Sequence, residues 1–138
     1  MKKAVIILLV VLTFSSCKDK TEAKTSKMVN IDNTEKAGKK LRHVVLFKFK
    51  ATSTPADIEK VEAAFLALPS KIKEIKDFEW GLNNSPEGIN KGFTHCYLLT
   101  FESEAARAIY LPHPDHFAFG QVLSPHLEDV LVVDYWTK

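Results

Sequence analysis

Cysteine is scarce in this chain of 138 residues, which contains only Cys17 and Cys96. Because Cys17 is assigned to another role below, a single cysteine remains and no intramolecular disulfide is expected. Long apolar runs are also lacking, since the run from Ala4 to Phe14 is well short of the roughly 20 residues that a membrane-spanning helix requires. No repeat or low-complexity tract interrupts residues 41–138. The sequence therefore excludes a disulfide-stapled domain and a solenoid of repeats.

The N-terminus has the layout of a secretory signal peptide. Two lysines precede the apolar run, and two serines separate that run from Cys17. A cysteine directly after small residues resembles a bacterial lipobox, in which the thiol is acylated and the preceding signal is removed. We predict a lipoprotein signal peptide over residues 1–16 and lipid attachment at Cys17, which anchors the protein to a membrane outside the cytoplasm of a bacterial cell. An ordinary secretion signal that contains a cysteine is the alternative.

Composition divides the remaining chain into a tether and a domain. Residues 17–40 contain no aromatic residue and many charges, which is typical of a flexible segment. Residues 41–138 have the length of one domain. They carry 10 basic and 13 acidic residues, a net charge of −3, whereas residues 1–40 carry a net charge of +5. A mildly acidic domain argues against nucleic acid as the partner.

Alternating apolar residues predict four strands in the domain. The predicted strands cover residues 42–50, 78–83, 93–101 and 128–136. An amphipathic helix follows the first strand, with Thr54 as its N-cap and Pro55 at its first helical position. We expect this helix to end at Pro69.

Two shorter helical segments are predicted near the C-terminus. One begins after Ser103 and ends before Pro112, and another begins at Pro114 and is broken near Gly120 or Pro125. The resulting order, β-α-β-β-α-β, is the ferredoxin-like motif, an α+β fold with helices on one face of a four-stranded antiparallel sheet.

The last predicted strand is apolar on both of its faces, from Val130 to Val133. Helices can cover only one face of the sheet. We therefore predict a homodimer, in which the second face is buried against another copy of the chain.

Four segments carry a resemblance to a known family. They are "RHVVLFKFK", "GFTHCYLLTFES", "YLPHPDHFAFG" and "LVVDYW", and together they resemble the stress-responsive dimeric α/β-barrel (Dabb) family over residues 41–138. The resemblance implies a ferredoxin-like subunit whose dimer joins two sheets into a barrel, in agreement with the pattern of strands and helices.

Within that family the sequence is similar to a plant polyketide cyclase, which closes a linear tetraketide thioester by aldol condensation without a metal or organic cofactor. This similarity implies that His116 is a general base assisted by Tyr110, and that His43 and His95 line the ligand pocket. No cofactor is expected.

The chemistry of these residues can also be argued directly. His116 is predicted in the first turn of a helix, where the helix dipole disfavours the imidazolium ion and so favours a base that accepts a proton. Tyr110 could donate a hydrogen bond to a developing enolate oxygen. Phe117 and Phe119 could shield the ligand from water.

Structural roles compete with this interpretation. His113 is predicted to be the N-cap of the helix at Pro114, and His43 and His95 fit hydrogen-bonded core positions on strands. Cys96 is also expected in the core. A metal site is not favoured, because the spacing of His113 and the histidine three residues later offers no third ligand and no HExxH arrangement.

Three functions fit the sequence. The favoured one is a membrane-anchored Dabb lipoprotein, acting as a dimeric stress-response or small apolar ligand-binding protein. The second is a cofactor-free lyase or cyclase that uses His116 and Tyr110, although a cyclase acting on cytosolic thioesters would rarely meet its substrate outside the cytoplasm. The third is a structural dimer that displays its surface to another envelope protein. Whether a reaction is catalysed is left open.

Overall fold

The structure, a computed structural model, describes residues 38–138. The predicted signal peptide, Cys17 and nearly all of the predicted tether lie outside the described residues. The strands are β1 (Leu41–Phe49), β2 (Asp77–Leu82), β3 (His95–Phe101) and β4 (Leu127–Trp136). The helices are α1 (Pro55–Leu66), α2 (Leu68–Lys71), α3 (Glu104–Tyr110) and α4 (Pro114–Leu123). Within residues 38–138, no helix combines the length and the apolar character needed to cross a membrane.

The four strands form one sheet in the order β2-β3-β1-β4, with every neighbouring pair antiparallel. This arrangement confirms the ferredoxin-like α+β fold expected from the sequence. The register places His43 of β1 opposite Leu99 of β3 and Asp134 of β4. Since residues that face each other across strands share a side of the sheet, these three side chains lie on the same face. We call the face that packs against the helices the helix side, and the opposite face the open side.

Local hydrogen bonds explain where the helices begin. The Thr54 hydroxyl accepts a hydrogen bond from the Asp57 backbone N–H at 3.2 Å, and the Asp57 carboxylate accepts one from the Thr54 N–H at 3.1 Å. This reciprocal capping box starts α1 at Pro55, as the sequence predicts. The Ser103 hydroxyl likewise accepts from the Ala106 N–H at 3.1 Å at the start of α3.

The C-terminal ends of two helices could not be predicted from the sequence alone. The prediction that the first helix ends at Pro69 was wrong, because α1 ends at Leu66 and Pro69 lies in the first turn of α2. A proline is well accommodated there, since the first N–H groups of a helix have no intrahelical acceptor. Gly120 lies inside α4, which ends at Leu123 before Pro125. A single glycine costs a helix only about 1 kcal/mol relative to alanine, so Gly120 does not break α4.

An aromatic cluster forms the core between the sheet and the helices. The Phe65 ring of α1 lies 4.3 Å from the Tyr97 ring and 4.6 Å from the Phe119 ring, measured between centroids. Phe47 of β1 lies 5.2 Å from Tyr97, and the side chains of both residues are fully buried. The prediction for Cys96 was wrong: it is exposed, because it alternates with Tyr97 on β3 and therefore faces the open side.

We expect the substitution Phe65→Ala to lower the free energy of unfolding by about 3–5 kcal/mol, because it removes a buried ring and leaves a cavity among its aromatic neighbours. Urea denaturation followed by fluorescence measures this loss. Leu66→Ala is the matched control, since Leu66 is the next residue of α1 and is 42% exposed. We expect it to cost less than about 1 kcal/mol. Equal losses for the two variants would contradict this description of the core.

Candidate functional site

A cavity of about 260 Å³ lies between the helix side of the sheet and helices α3 and α4. Alternate residues of β1 and β4 form its floor, because the antiparallel register places them on the same face. Its apolar lining residues are Val45, Phe47, Phe65, Leu111, Phe119, Leu123, Val130 and Val132. Its polar lining residues are His43, Tyr110, His116 and Asp134. This volume lies just below the roughly 300–1,000 Å³ that ligand pockets commonly measure, so the cavity suits a small molecule.

Tyr110 and His116 lie together on one wall of the cavity. Their ring centroids are 4.3 Å apart, and Tyr110 is only 1% exposed. The backbone carbonyl of Leu111 lies 2.9 Å from Nδ1 of His116. Because a carbonyl oxygen can only accept, Nδ1 carries a proton and, in the neutral imidazole, the lone pair is on Nε2. Burial raises the pKa of the Tyr110 hydroxyl, so the phenol stays protonated and can donate a hydrogen bond.

His43 also contacts Tyr110, with the two ring centroids 5.8 Å apart. Its Nδ1 is 2.7 Å from one carboxylate oxygen of Asp134, and Arg107 donates to the other oxygen at 3.0 Å. The carboxylate therefore accepts from Nδ1–H of His43 and leaves Nε2 with the lone pair in the neutral ring. Arg107 comes from α3 and Asp134 from β4, so the contact ties the helix to the edge of the sheet.

Three polar groups of the cavity have no protein partner. Among residues 38–138, no group forms a hydrogen bond with the Tyr110 hydroxyl, with Nε2 of His43 or with Nε2 of His116. These three atoms are not among the buried, unpartnered polar atoms of residues 38–138, so each is open to the cavity. One donor and two acceptors on a mostly apolar wall can therefore bind a small polar group of a ligand.

A shallow groove of about 880 Å³ on the outer side of α4 adjoins the cavity. The cavity and the groove share Leu111, His116, Phe119 and Leu123 as lining residues. His116 therefore stands between the cavity and the outer groove, where a ligand can enter.

Comparison with known proteins identifies the family. The family model of the stress responsive A/B barrel domain, Dabb, matches residues 41–137. The chain belongs to the Dabb family. Two curated proteins are similar to this Dabb chain. The stress-response A/B barrel domain-containing protein HS1 of Arabidopsis thaliana is 38% identical over 101 residues, which cover 73% of this chain and 93% of the relative. The olivetolic acid cyclase of Cannabis sativa is 33% identical over 95 residues, which cover 69% and 94%.

Solved structures are similar to the same Dabb domain. The hydroxynitrile lyase of Passiflora edulis is 28% identical with a TM-score of 0.67, covering 72% of this chain and 94% of the lyase. A dimeric ferredoxin-like protein of unknown function from Thermobifida fusca is 28% identical with a TM-score of 0.63, covering 72% of this chain and 92% of that protein. The fold is therefore shared with enzymes and with proteins of no established function.

Two further residues proposed from the sequence, His113 and His95, lie outside the cavity. Nδ1 of His113 accepts a hydrogen bond from the Asp115 N–H at 3.2 Å, which confirms His113 as the N-cap of α4. His95 lies outside the cavity, with Nε2 2.9 Å from Glu62 and Nδ1 2.8 Å from Thr94. Both of its ring nitrogens are therefore engaged in contacts within the protein.

The two phenylalanines of α4 have different environments. Phe119 is buried and lines the cavity, whereas Phe117 is 68% exposed and lies on the outer groove. Consecutive helical residues are about 100° apart around the helix axis, so the side chains of residues 117 and 119, which are two residues apart, point in nearly opposite directions. Phe117 therefore does not enclose the cavity.

Sequence reasoning missed Asp134 and Arg107. Asp134 could have been found from the sequence. Alternate residues of a strand share a face, so Asp134 lies on the same inner face as Val130 and Val132, where a carboxylate is unusual. Arg107 gives no such signal, since an arginine on a short helix is usually solvated. Among residues 38–138, no group of three or more histidine, cysteine or acidic side chains is arranged to hold a metal ion.

Proposed function

We propose that the protein binds a small, mostly apolar carbonyl compound in the cavity, and that it does so as a lipid-anchored homodimer of the bacterial cell envelope. The observation that carries the ligand proposal is the set of three unpartnered polar groups, those of Tyr110, His43 and His116, in one mostly apolar cavity that is partly open to solvent. Membership of the stress-response family is consistent with such a role.

The polar groups favour a neutral ligand. The Tyr110 hydroxyl can donate to a carbonyl oxygen, and the two Nε2 atoms can accept from an enol hydroxyl. Asp134 is the charged residue of the lining, and its carboxylate is already engaged by His43 and Arg107. A ligand that brought a net charge into the cavity would lose hydration without finding an unpaired opposite charge.

A second candidate function is proton transfer, as in a cofactor-free lyase or cyclase. His116 favours it, since its ring adjoins a buried phenol and its Nε2 holds the lone pair in the neutral imidazole. Nε2 could remove a proton next to the carbonyl while Tyr110 donates a hydrogen bond to the enolate oxygen that forms. Two of the similar proteins are a cyclase and a lyase, which supports this candidate. The proposed envelope location favours a free carbonyl compound over a cytosolic thioester.

The open side of the sheet supports the dimer. Its centre is apolar and consists of Val44, Leu46, Leu98, Leu131, Val133 and Tyr135. The three residues that β4 contributes are each about 45% exposed, although strand residues of this kind are normally covered. A second copy is the occupant we propose, since the similar ferredoxin-like protein of Thermobifida fusca is dimeric.

Lipid attachment is proposed from the sequence pattern alone, because Cys17 lies outside the described residues. The first described residues support it in one respect. Lys40 is exposed and is bonded to Thr137 beside the start of β1, so a tether from the membrane would join the domain at its surface.

We expect acetylacetone, a small carbonyl compound with an enol form, to bind in the cavity and to shift the amide signals of β1, β4 and α4 in an NMR titration. Tyr110→Phe removes only the hydroxyl and should weaken binding about tenfold, which corresponds to about 1.4 kcal/mol. Tyr135→Phe is the matched control on the open side and should not change the affinity. Toluene, of similar size without oxygen, should bind more weakly.

The same samples in heavy water separate binding from catalysis. If the protein accelerates deuterium uptake at the α-carbon of acetylacetone, and His116→Ala reduces this acceleration about a hundredfold, proton transfer is supported. Binding without acceleration would support ligand binding and contradict proton transfer. The absence of any binding, or equal binding of toluene, would contradict both proposals.

We expect Val133→Lys to convert the dimer into a monomer, because it places a charge at the centre of an apolar interface. Light scattering coupled to gel filtration measures the mass. Leu66→Lys is the control, since Leu66 is exposed on α1 and distant from the open side. It should remain dimeric. A monomeric wild-type protein would contradict the dimer and would favour a different envelope partner for the open side.

We expect Cys17→Ala to move the protein from the membrane fraction of bacterial cells to the soluble fraction, because acylation of this thiol is the proposed anchor. Cys96→Ala is the matched control and should stay in the membrane fraction. The anchor proposal fails if both variants fractionate alike.

A further inference from the structure

Arg107 does not line the cavity, but it contacts Asp134, which in turn holds His43, one of the polar lining residues. We propose that Arg107 is a positioning residue for ligand binding: by holding Asp134, it keeps the proton of His43 on Nδ1 and so presents Nε2 to the ligand as an acceptor. This inference rests on the proposed function, since it assigns a cause to the state of one of the three ligand-facing groups.

The geometry is a continuous line of contacts from the helix to the cavity. Arg107 donates to one oxygen of Asp134 at 3.0 Å, and the other oxygen lies 2.7 Å from Nδ1 of His43. The side chains of Arg107 and Asp134 are partly exposed, at 24% and 32%, whereas that of His43 is buried, at 7%. The carboxylate therefore stands between a partly solvated cation and a buried imidazole.

The position of Arg107 on α3 connects it to the rest of the site. Residues three apart on a helix are neighbours, so Arg107 and Tyr110 lie on adjacent turns of the same side of α3. One short helix thus supplies the phenol donor directly and determines the state of a histidine acceptor through Asp134. A shift of α3 would change both groups together.

Without Arg107, the carboxylate would lose the contact that fixes its orientation. One oxygen would be freed, and Asp134 could turn towards solvent, since its side chain is about one-third exposed. The imidazole of His43 could then exchange its proton between the two nitrogens. In a second state with the proton on Nε2, the acceptor that faces the ligand is lost.

A second contact between α3 and β4 allows the role of Arg107 to be tested without loss of the fold. The indole N–H of Trp136 donates to the Glu104 carboxylate at 3.1 Å, which also joins β4 to α3. Glu104 lies one turn before Arg107, and Trp136 lies two residues after Asp134 on the same face. Removal of Arg107 therefore leaves α3 connected to the edge strand.

The test is the tautomeric state of His43, read from the nitrogen chemical shifts of its imidazole by NMR on the full chain. We expect one protonated and one unprotonated nitrogen in the wild-type protein. In Arg107→Met the two shifts should move towards each other, because both tautomers are populated. Arg107→Lys keeps a cation near Asp134 and should largely restore the wild-type shifts. Lys73→Met is the matched control, since it removes an exposed cation that does not touch Asp134.

Binding of acetylacetone provides the functional readout. Its dissociation constant should rise about tenfold in Arg107→Met and stay within about twofold in Lys73→Met. Wild-type shifts and wild-type affinity in Arg107→Met would overturn the inference. If the wild-type protein binds no acetylacetone, the proposed function fails, whereas the nitrogen shifts still decide whether Arg107 sets the state of His43. If the amide spectrum shows that Arg107→Met is misfolded, Arg107→Gln, which also removes the cation, takes its place in both measurements, with the same expected and contradicting results.

Discussion

Helices cover only one face of the four-stranded sheet, and this constraint separates the two surfaces on which the proposed function depends. Along β4, neighbouring residues alternate between them, so that Val132 lines the cavity and Val133 belongs to the open side. The same strands therefore provide the ligand site and the proposed dimer surface. A register shift of one residue would exchange the two sets, placing Asp134 on the open side and destroying both.

The cavity has apolar walls and polar atoms whose orientation is set by hydrogen bonds to neighbouring residues. Leu111 holds His116 through its backbone carbonyl, and Asp134 holds His43 through its carboxylate. In both rings the contact occupies Nδ1 and leaves Nε2 available. The Tyr110 ring contacts both of them, and burial raises the pKa of its hydroxyl, so that the group remains a donor. In a space of low polarity such groups interact more strongly with a ligand than they would in water.

Local features could be predicted from the sequence because their causes are local. The Thr54 capping box and the His113 N-cap depend on residues within one helical turn, and both are confirmed. The structure was needed where distance along the sheet matters. His43 and His95 share a face, but the register pairs His95 with Phe47, four residues from His43 and therefore roughly 13 Å away.

Contacts between distant elements could not be predicted in this way. Arg107 and Asp134 are 27 residues apart, and only the packing of α3 against the edge of the sheet brings them together. Tyr110 and His116 were found through a family resemblance and through their spacing, while the cavity between them and β4 is a product of the fold. The end of α1 was misplaced for a related reason, since Pro69 can equally stop one helix or start the next.

A crystal structure of the protein with acetylacetone bound would test the central claim, that the three unpartnered groups form a ligand site. We expect the ligand between β4 and α4, with one carbonyl oxygen within hydrogen-bond distance of the Tyr110 hydroxyl and an oxygen near Nε2 of His116 or His43. A cavity closed by movement of Phe119 and Tyr110, with acetylacetone absent or bound elsewhere, would contradict the account and would assign these residues to packing.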